Sequence, residues 1–454
     1  MFKFFLLSTL LLPTLVLPTL ELSTLELPAL ELPTLRTLCY ICIMNNILIE
    51  NAKQILTCSP EGTRFKSGKA QSEIGLLENS SIYIENGKIK WVGKKLPADL
   101  LKKNVKKINA KNKVVMPGFI DSHTHLVFAG DRANEYAMRL AGKTYEEIAN
   151  AGGGIVNTVD AVRKCSKEKL KELAKKRIDN FISFGVTTME AKSGYGLDVK
   201  NEIKMLEVIN ELNDELPVDI IPAFLGAHAI PKDKTKEEYL DIILYEMIPQ
   251  IAKRKLAFFI DVFCEMYYFS AEETDKIFKQ AISFGLVPKL HTNQFYSIGG
   301  IETAIANKAS SVDHLEVMKE SEVQQLKDTG IVACVLPGVS YFLNIQYAPA
   351  RRFIENDVPV AIATDFNPGS CMTENIQLLM SLAAHKMEMK PEEIINAVTI
   401  NAAAALCISD RAGSIEVGKQ GDVVIFDMPD YNNLLYHFGV NCVESVIKNG
   451  KVIN

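Results

Sequence analysis

Two histidines at positions i and i+2 close the segment Pro117-Gly118-Phe119-Ile120-Asp121-Ser122-His123-Thr124-His125. The apolar run before them, Val114 to Met116 and then Phe119 and Ile120, predicts a buried strand. Side chains in a strand alternate between faces, so His123 and His125 point the same way and can bind one divalent ion. A lone His-x-His is more often a pair of polar loop residues, and the other histidines decide the reading here. The chain has only seven, and five of them end apolar runs: His123, His125, His228, His291 and His314. Asp365 closes the run from Val358 in the same way. Core histidines satisfied by a backbone partner would not gather at strand ends. His385 and His437 lack such a context and receive no role.

The elements that must position these residues lie in the middle of the chain. Strand patterns occur at 114–121, 185–191, 218–228, 257–264, 287–291, 311–315, 331–336 and 358–365. Amphipathic helical stretches alternate with them at 168–183, 203–212, 271–285 and 320–329, and another follows at 391–402. Strands alternating with helices imply parallel pairing, and eight such units predict a (β/α)₈ barrel with its site at the C-terminal strand ends. In a closed barrel the first and eighth strands are neighbours. His123, His125 and Asp365 then converge on one ion, with His291 reaching from across the mouth. Three imidazoles and a carboxylate suit one Zn²⁺ or Fe²⁺/Fe³⁺ per chain, with a position left for water. Such an ion lowers the pKa of a bound water toward about 7, and Asp365 is placed to take a proton from it.

Both chain ends read differently. Short alternating runs flank Asn86-Gly87 and Asn449-Gly450, each a hairpin signal, so residues 44–113 and 408–454 are expected to form a small β-sandwich domain around a barrel of 114–407. Residues 1–43 repeat Leu-Pro-Thr-Leu-like units such as Leu12-Pro13-Thr14-Leu15 and Leu32-Pro33-Thr34-Leu35. Prolines interrupt the apolar stretch and glutamates follow from Glu21, which fits neither a signal peptide nor a membrane span. The expectation is a leader outside the fold, with Met44 as the natural beginning. Cys39 and Cys42 form a Cys-x-x-Cys within this stretch, with no second pair to complete a metal site. Nine scattered cysteines, mostly within apolar runs, suit reduced thiols and a cytoplasmic location. A net charge of −5 gives no footprint for nucleic acid or anionic membrane, which leaves a small-molecule substrate as the expected partner and a homodimer as an open option.

The chain resembles the amidohydrolase superfamily and, within it, the imidazolonepropionase family. The resemblance runs from about Met44 to the C-terminus. It rests on Pro117–His125, Lys192-Ser193-Gly194-Tyr195-Gly196, Phe224-Leu225-Gly226-Ala227-His228, Asp261-Val262-Phe263-Cys264-Glu265, Asp313-His314-Leu315 and Asp365-Phe366-Asn367-Pro368-Gly369-Ser370. It implies hydrolytic ring opening of 4-imidazolone-5-propanoate to N-formimino-L-glutamate, the third step of histidine degradation. Carried over by position, it implies His123, His125, His291 and Asp365 as metal ligands. Arg132 would hold the substrate carboxylate, a task suited to a planar bidentate donor. Tyr145, Tyr195 and His228 would line the pocket, and Asn367, Gly369 and Ser370 would add polar contacts. His314 would stand by the attacking water or developing oxyanion, with Asp365, His314 and His228 as the catalytic groups.

One position departs from the family pattern. Where a glutamate commonly follows the strand-five histidine, this chain has His291-Thr292-Asn293-Gln294. Gln294 can hydrogen-bond the substrate ring but cannot shuttle a proton. The same substitution weighs against a deaminase, and Cys264-Glu265 in place of a strand-four lysine points to a single metal. The competing expectations are another mononuclear amidohydrolase acting on a carboxylate-bearing cyclic amide, or a non-catalytic binding protein of the same fold.

Overall fold

The computed structural model describes residues 46–100, 104–143, 147 and 153–454. The Leu-Pro leader, the Cys39/Cys42 pair and Tyr145 lie outside the described residues. The chain starts with five strands, β1 (Ile47–Leu56), β2 (Leu76–Glu85), β3 (Lys88–Gly93), β4 (Lys106–Asn109) and β5 (Val114–Pro117). Eight more follow: β6 (Phe119–Asp121), β7 (Val186–Lys192), β8 (Asp219–Ala227), β9 (Phe259–Cys264), β10 (Val287–Thr292), β11 (Ser311–His314), β12 (Val332–Val335) and β13 (Val360–Ile362). The last three are β14 (Val423–Phe426), β15 (Val443–Lys448) and β16 (Lys451–Val452).

Strands β6 to β13 pair in parallel in sequence order, the eight-stranded barrel sheet that the alternating pattern predicts. Its strands are almost wholly buried because helices cover the outside, and they mix apolar residues with a few buried polar and charged ones. Helix starts are written locally. Ser166 caps Lys167–Ser183, Asp198 caps Val199–Glu215, and Ser270 with Glu273 forms a capping box on Ala271–Ser283. The expected helix 391–402 is two helices, Pro391–Ala397 and Ile400–Ala405. The break has a use: the Val398 carbonyl accepts a hydrogen bond from the Ile120 N–H of β6 at 2.9 Å. No described helix is long and apolar enough to cross a membrane.

The remaining strands, from both chain ends, form the second sheet in the order β16-β15-β14-β5-β1-β2-β3, with β4 beside β1. Asn86-Gly87 and Asn449-Gly450 turn its two hairpins, all four residues at positive φ as a tight hairpin turn requires. One expectation is corrected here. The apolar run 114–121 is not one barrel strand: Val114–Pro117 pairs with β1 and β14, and only Phe119–Asp121 enters the barrel. The chain changes sheets at Gly118, where a Cβ would meet the Thr187 side chain at 2.2 Å.

The barrel closes at the end where the histidines sit. The Asp365 N–H donates to the His123 carbonyl at 2.9 Å and the His125 N–H to the Phe366 carbonyl at 3.0 Å. Below them the buried Asp121 carboxylate accepts the Thr364 N–H (3.1 Å) and hydroxyl (2.7 Å), tying the first barrel strand to the eighth. Burial pushes the Asp121 carboxyl up to about 6.

Candidate metal centre and substrate cavity

The four proposed ligands meet at the C-terminal mouth of the barrel. Asp365 Oδ1 lies 3.3 Å from His123 Nε2 and 3.2 Å from His125 Nε2, and the Nε2 atoms of His125 and His291 are 3.4 Å apart. All four side chains are buried, yet His123 Nε2 and Asp365 Oδ1 make no hydrogen bond. Buried nitrogen and oxygen atoms that converge without hydrogen bonds fit a cation at their centre. Asp365 adopts a positive φ of 50° in a non-glycine residue, strain of the kind that accumulates at functional sites.

The far nitrogens of two ligands are held by carboxylates. Asp313 Oδ2 lies 2.7 Å from His123 Nδ1, and Asp261 Oδ2 lies 3.0 Å from His291 Nδ1. At His123 the hydrogen bond fixes the tautomer with Nδ1 protonated and turns Nε2 toward the centre, and at His291 the Asp261 carboxylate stands against Nδ1. Beneath them Lys192 pairs with Asp261 and Glu190, both at 2.6 Å, and Lys289 stands 3.4 Å from Glu190 and 3.7 Å from Asp313. His123, Glu190 and Asp313 also cluster closely enough to hold an ion, but the two lysines already supply the positive charge there. Sequence reading assigned no role to Asp261, Asp313, Glu190, Lys192 or Lys289. The available signal was charge inside strands that are otherwise apolar, as in Met189-Glu190-Ala191-Lys192 and Pro288-Lys289-Leu290.

Electrostatics separates the histidines. Burial and Lys192 oppose charge on His123, but the Asp313 and Asp365 carboxylates outweigh them and hold its pKa up at about 9. Burial drives His125 down to about 4 and His228 down to about 3, so both stay neutral. Burial also opposes charge on Asp365, but His123 and His125 beside it hold its carboxyl well below the usual range.

Above the ligands opens a cavity of about 380 Å³, lined among others by Arg132, Tyr195, His228, Gln294, His314, Asn367, Gly369 and Ser370. Apart from Tyr145, every residue expected to touch substrate is therefore brought together. Arg132 donates from Nε to Glu135 at 2.7 Å, and Glu135 also accepts the Gly154 N–H at 3.0 Å. Gly369 has no side chain because a Cβ there would lie 2.2 Å from Arg132 Nη1. The Lys192–Leu197 turn is organised by the buried Glu202, which accepts the N–H groups of Gly194, Gly196 and Leu197 at 2.8–2.9 Å. That turn presents Tyr195, whose hydroxyl burial keeps protonated, and offers the Gly194 carbonyl to His228 Nδ1 at 3.0 Å. A carbonyl only accepts, so His228 carries its proton on Nδ1. Its ring stacks on His125 with centroids 5.1 Å apart. The Asn367 side chain is spent within its own loop. It accepts from the N–H groups of Gly369 and Ser370 and donates to the Asp365 carbonyl and the Ser370 hydroxyl. Ser370 Oγ in turn donates to Asp365 Oδ2 at 3.1 Å.

The amidohydrolase family model matches residues 265–453. An imidazolonepropionase from Alkaliphilus oremlandii is 44% identical over 413 residues, which cover 90% of this chain and 98% of the relative. One from Geobacillus kaustophilus is also 44% identical, over 419 residues with the same coverage. Among solved structures, an adenosine deaminase from Xanthomonas campestris with bound zinc superposes with a TM-score of 0.68 at 17% identity, covering 89% of this chain and 92% of that one. At that identity the likeness is one of fold.

Proposed function

This chain belongs to the imidazolonepropionase family, and we propose that it opens the ring of 4-imidazolone-5-propanoate with water to give N-formimino-L-glutamate. The observation that carries the reading is the His₃Asp donor set on the floor of a cavity whose wall holds a guanidinium. His123, His125, His291 and Asp365 would hold one Zn²⁺ or Fe²⁺/Fe³⁺ per chain. Such an ion, when bound, polarises the ring carbonyl and acidifies a water.

The chain's own residues do the rest. Arg132, aimed by Glu135, takes the substrate's propionate in a charge-assisted pair. Tyr195 and the neutral His228 form the wall against the ring, and the free Nε2 of His228 accepts a hydrogen bond from it. Asn367 shapes the turn that brings Gly369 and Ser370 to the cavity. Gln294 bonds the ring without moving a proton, and His314 faces the reacting carbonyl. Asp365 accepts a proton from the attacking water. All seven described cysteines are free, which suits a reducing compartment, and we assign the protein to the cytoplasm.

The test is the decay of imidazolonepropanoate absorbance on adding purified protein, with metal content measured on the same sample. Turnover with about one ion per chain is expected. Metal-loaded protein that opens other carboxylate-bearing cyclic amides but not this one would establish the different-substrate alternative. Loaded protein that binds such compounds without turnover would establish the binding-protein alternative.

A further inference from the structure

With glutamine at position 294, a group other than residue 294 must return the proton taken by Asp365 to the departing nitrogen. Most acidic groups nearby are committed. Glu265 accepts the N–H groups of Met266, Phe295 and Tyr296. Glu202 accepts three more, and Glu322 is taken by Asn293, Ser297 and the Lys319 N–H. Asp261 and Asp313 are bound to histidines and lysines. Glu316 is different: it is 3% exposed, and neither carboxylate oxygen has a hydrogen-bond partner. Its nearest ionisable neighbour is His314, with Oε1 3.5 Å from Nδ1, and that histidine's Nδ1 likewise makes no hydrogen bond.

The backbone puts this pair where a proton relay is useful. His314 and Leu315 both adopt left-handed backbone, at φ 85° and 71°, an unusual pair of non-glycine residues in succession. The turn they make is stitched to the segment leading into Gln294, through Leu315 N–H to the Thr292 carbonyl at 3.2 Å and Val317 N–H to the Asn293 carbonyl at 2.8 Å. The His314 ring faces the catalytic cavity, with its centroid 5.4 Å from that of His291. Glu316 also borders a separate surface cleft with Lys319 and Arg352, and Phe295 lines both spaces.

We infer that Glu316, working through His314, is the positioning residue and proton relay that replaces the carboxylate absent from position 294. This rests on the hydrolase reading above. In the reaction the water oxygen bonds to the ring carbonyl carbon and the carbon–nitrogen bond breaks with its electron pair passing to nitrogen. One water proton, accepted first by Asp365, passes to the His314–Glu316 pair and is returned to the departing nitrogen. The other is shed as the new carboxyl group ionises. Burial raises the Glu316 carboxyl above its ordinary range, closer to the pH at which such a relay works best. The charged and titratable groups around it are His314 and Asp365 on the site side and Tyr296, Lys319, Tyr347 and Arg352 around the cleft.

The experiment compares kcat and KM across pH for the metal-loaded parent, Glu316→Gln, and Glu316→Gln combined with Gln294→Glu. Glu316→Gln should lower kcat by roughly 10²–10⁴-fold with KM and metal content kept, and the acid limb of its kcat profile should move. That limb is expected because an ionised relay is lost as pH falls through its pKa. Restoring a carboxylate at position 294 in the same protein should recover part of the lost kcat, which a merely structural role for Glu316 would not allow. Parent-like kcat and acid limb in Glu316→Gln, or a double variant no faster than the single, would overturn the proposal. If Glu316→Gln does not fold, Glu316→Asp should show a displaced acid limb, and an unmoved one would overturn it. Turnover by the parent on the same substrate tests the hydrolase reading separately.

Discussion

On the floor of the cavity two of the candidate ligand histidines are gripped from behind by other side chains, whereas on the rim the grip is a carboxylate on N–H groups. His123 and His291 lean on Asp313 and Asp261, and these lean on Lys192 and Lys289, in a fully buried lattice of opposite charges. The rim is built from loops. Glu202 braces the turn that carries Tyr195, Glu135 braces Arg132 and the Gly154 backbone, and Glu265 braces the turn after Gln294. A buried charge lattice is costly to disturb because each member is desolvated and depends on the others. A carboxylate on N–H groups fixes one loop and leaves the others independent. The floor should therefore fail as a unit and the rim residue by residue.

The largest expected effect is on the floor. Lys192→Met leaves Glu190 and Asp261 facing each other without their shared cation, and breaking such a buried pair should cost about 3–5 kcal/mol of stability. Urea unfolding measures it, and a change within about 0.5 kcal/mol, as for an ordinary surface substitution, would remove the lattice from the account of the floor. On the rim, Arg132→Ala should leave the fold and metal content alone but reduce kcat/KM by an amount equivalent to about 2–5 kcal/mol, mainly through KM. Unchanged efficiency toward imidazolonepropanoate would deny Arg132 its anchoring role.

Asp313→Asn sharpens the contrast at a smaller scale. The amide keeps the shape but loses the charge that orients His123, and metal affinity should weaken about 10–100-fold. Competition with a chromophoric chelator gives the value, and parent-like affinity would mean that packing alone orients the ring. The smallest effect should come from Gly369→Ala, whose methyl must displace the tip of Arg132. Its KM should rise by less than in Arg132→Ala with kcat and metal content retained. A larger loss than in Arg132→Ala would show that the strand-eight loop does more than make room for a guanidinium.

What could be read from the chain by itself was whatever depends on near neighbours. Apolar runs ending in His123, His125, His228, His291, His314 and Asp365 marked strand ends, and Asn-Gly pairs marked both hairpins. Those local patterns, taken with the count of eight, were enough to bring four candidate ligands toward one point. The tertiary structure decided what depends on partners distant in sequence. His123 and Asp313 are 190 residues apart and Lys192 and Asp261 are 69 apart, so nothing in the local pattern of either strand announces its partner. The passage from β5 to β6 at Gly118 was hidden for a related reason: a single apolar run satisfies burial equally well in one sheet or two, and only the hydrogen bonds of β1 and β14 divide it. Glu316 follows the same rule, since its spacing from His314 is visible in the sequence but the burial of its carboxylate without a hydrogen-bond partner is not. Local chemistry settles which residues can bind or react, while closure of the barrel settles which of them share one low-dielectric interior and so feel one another's charge.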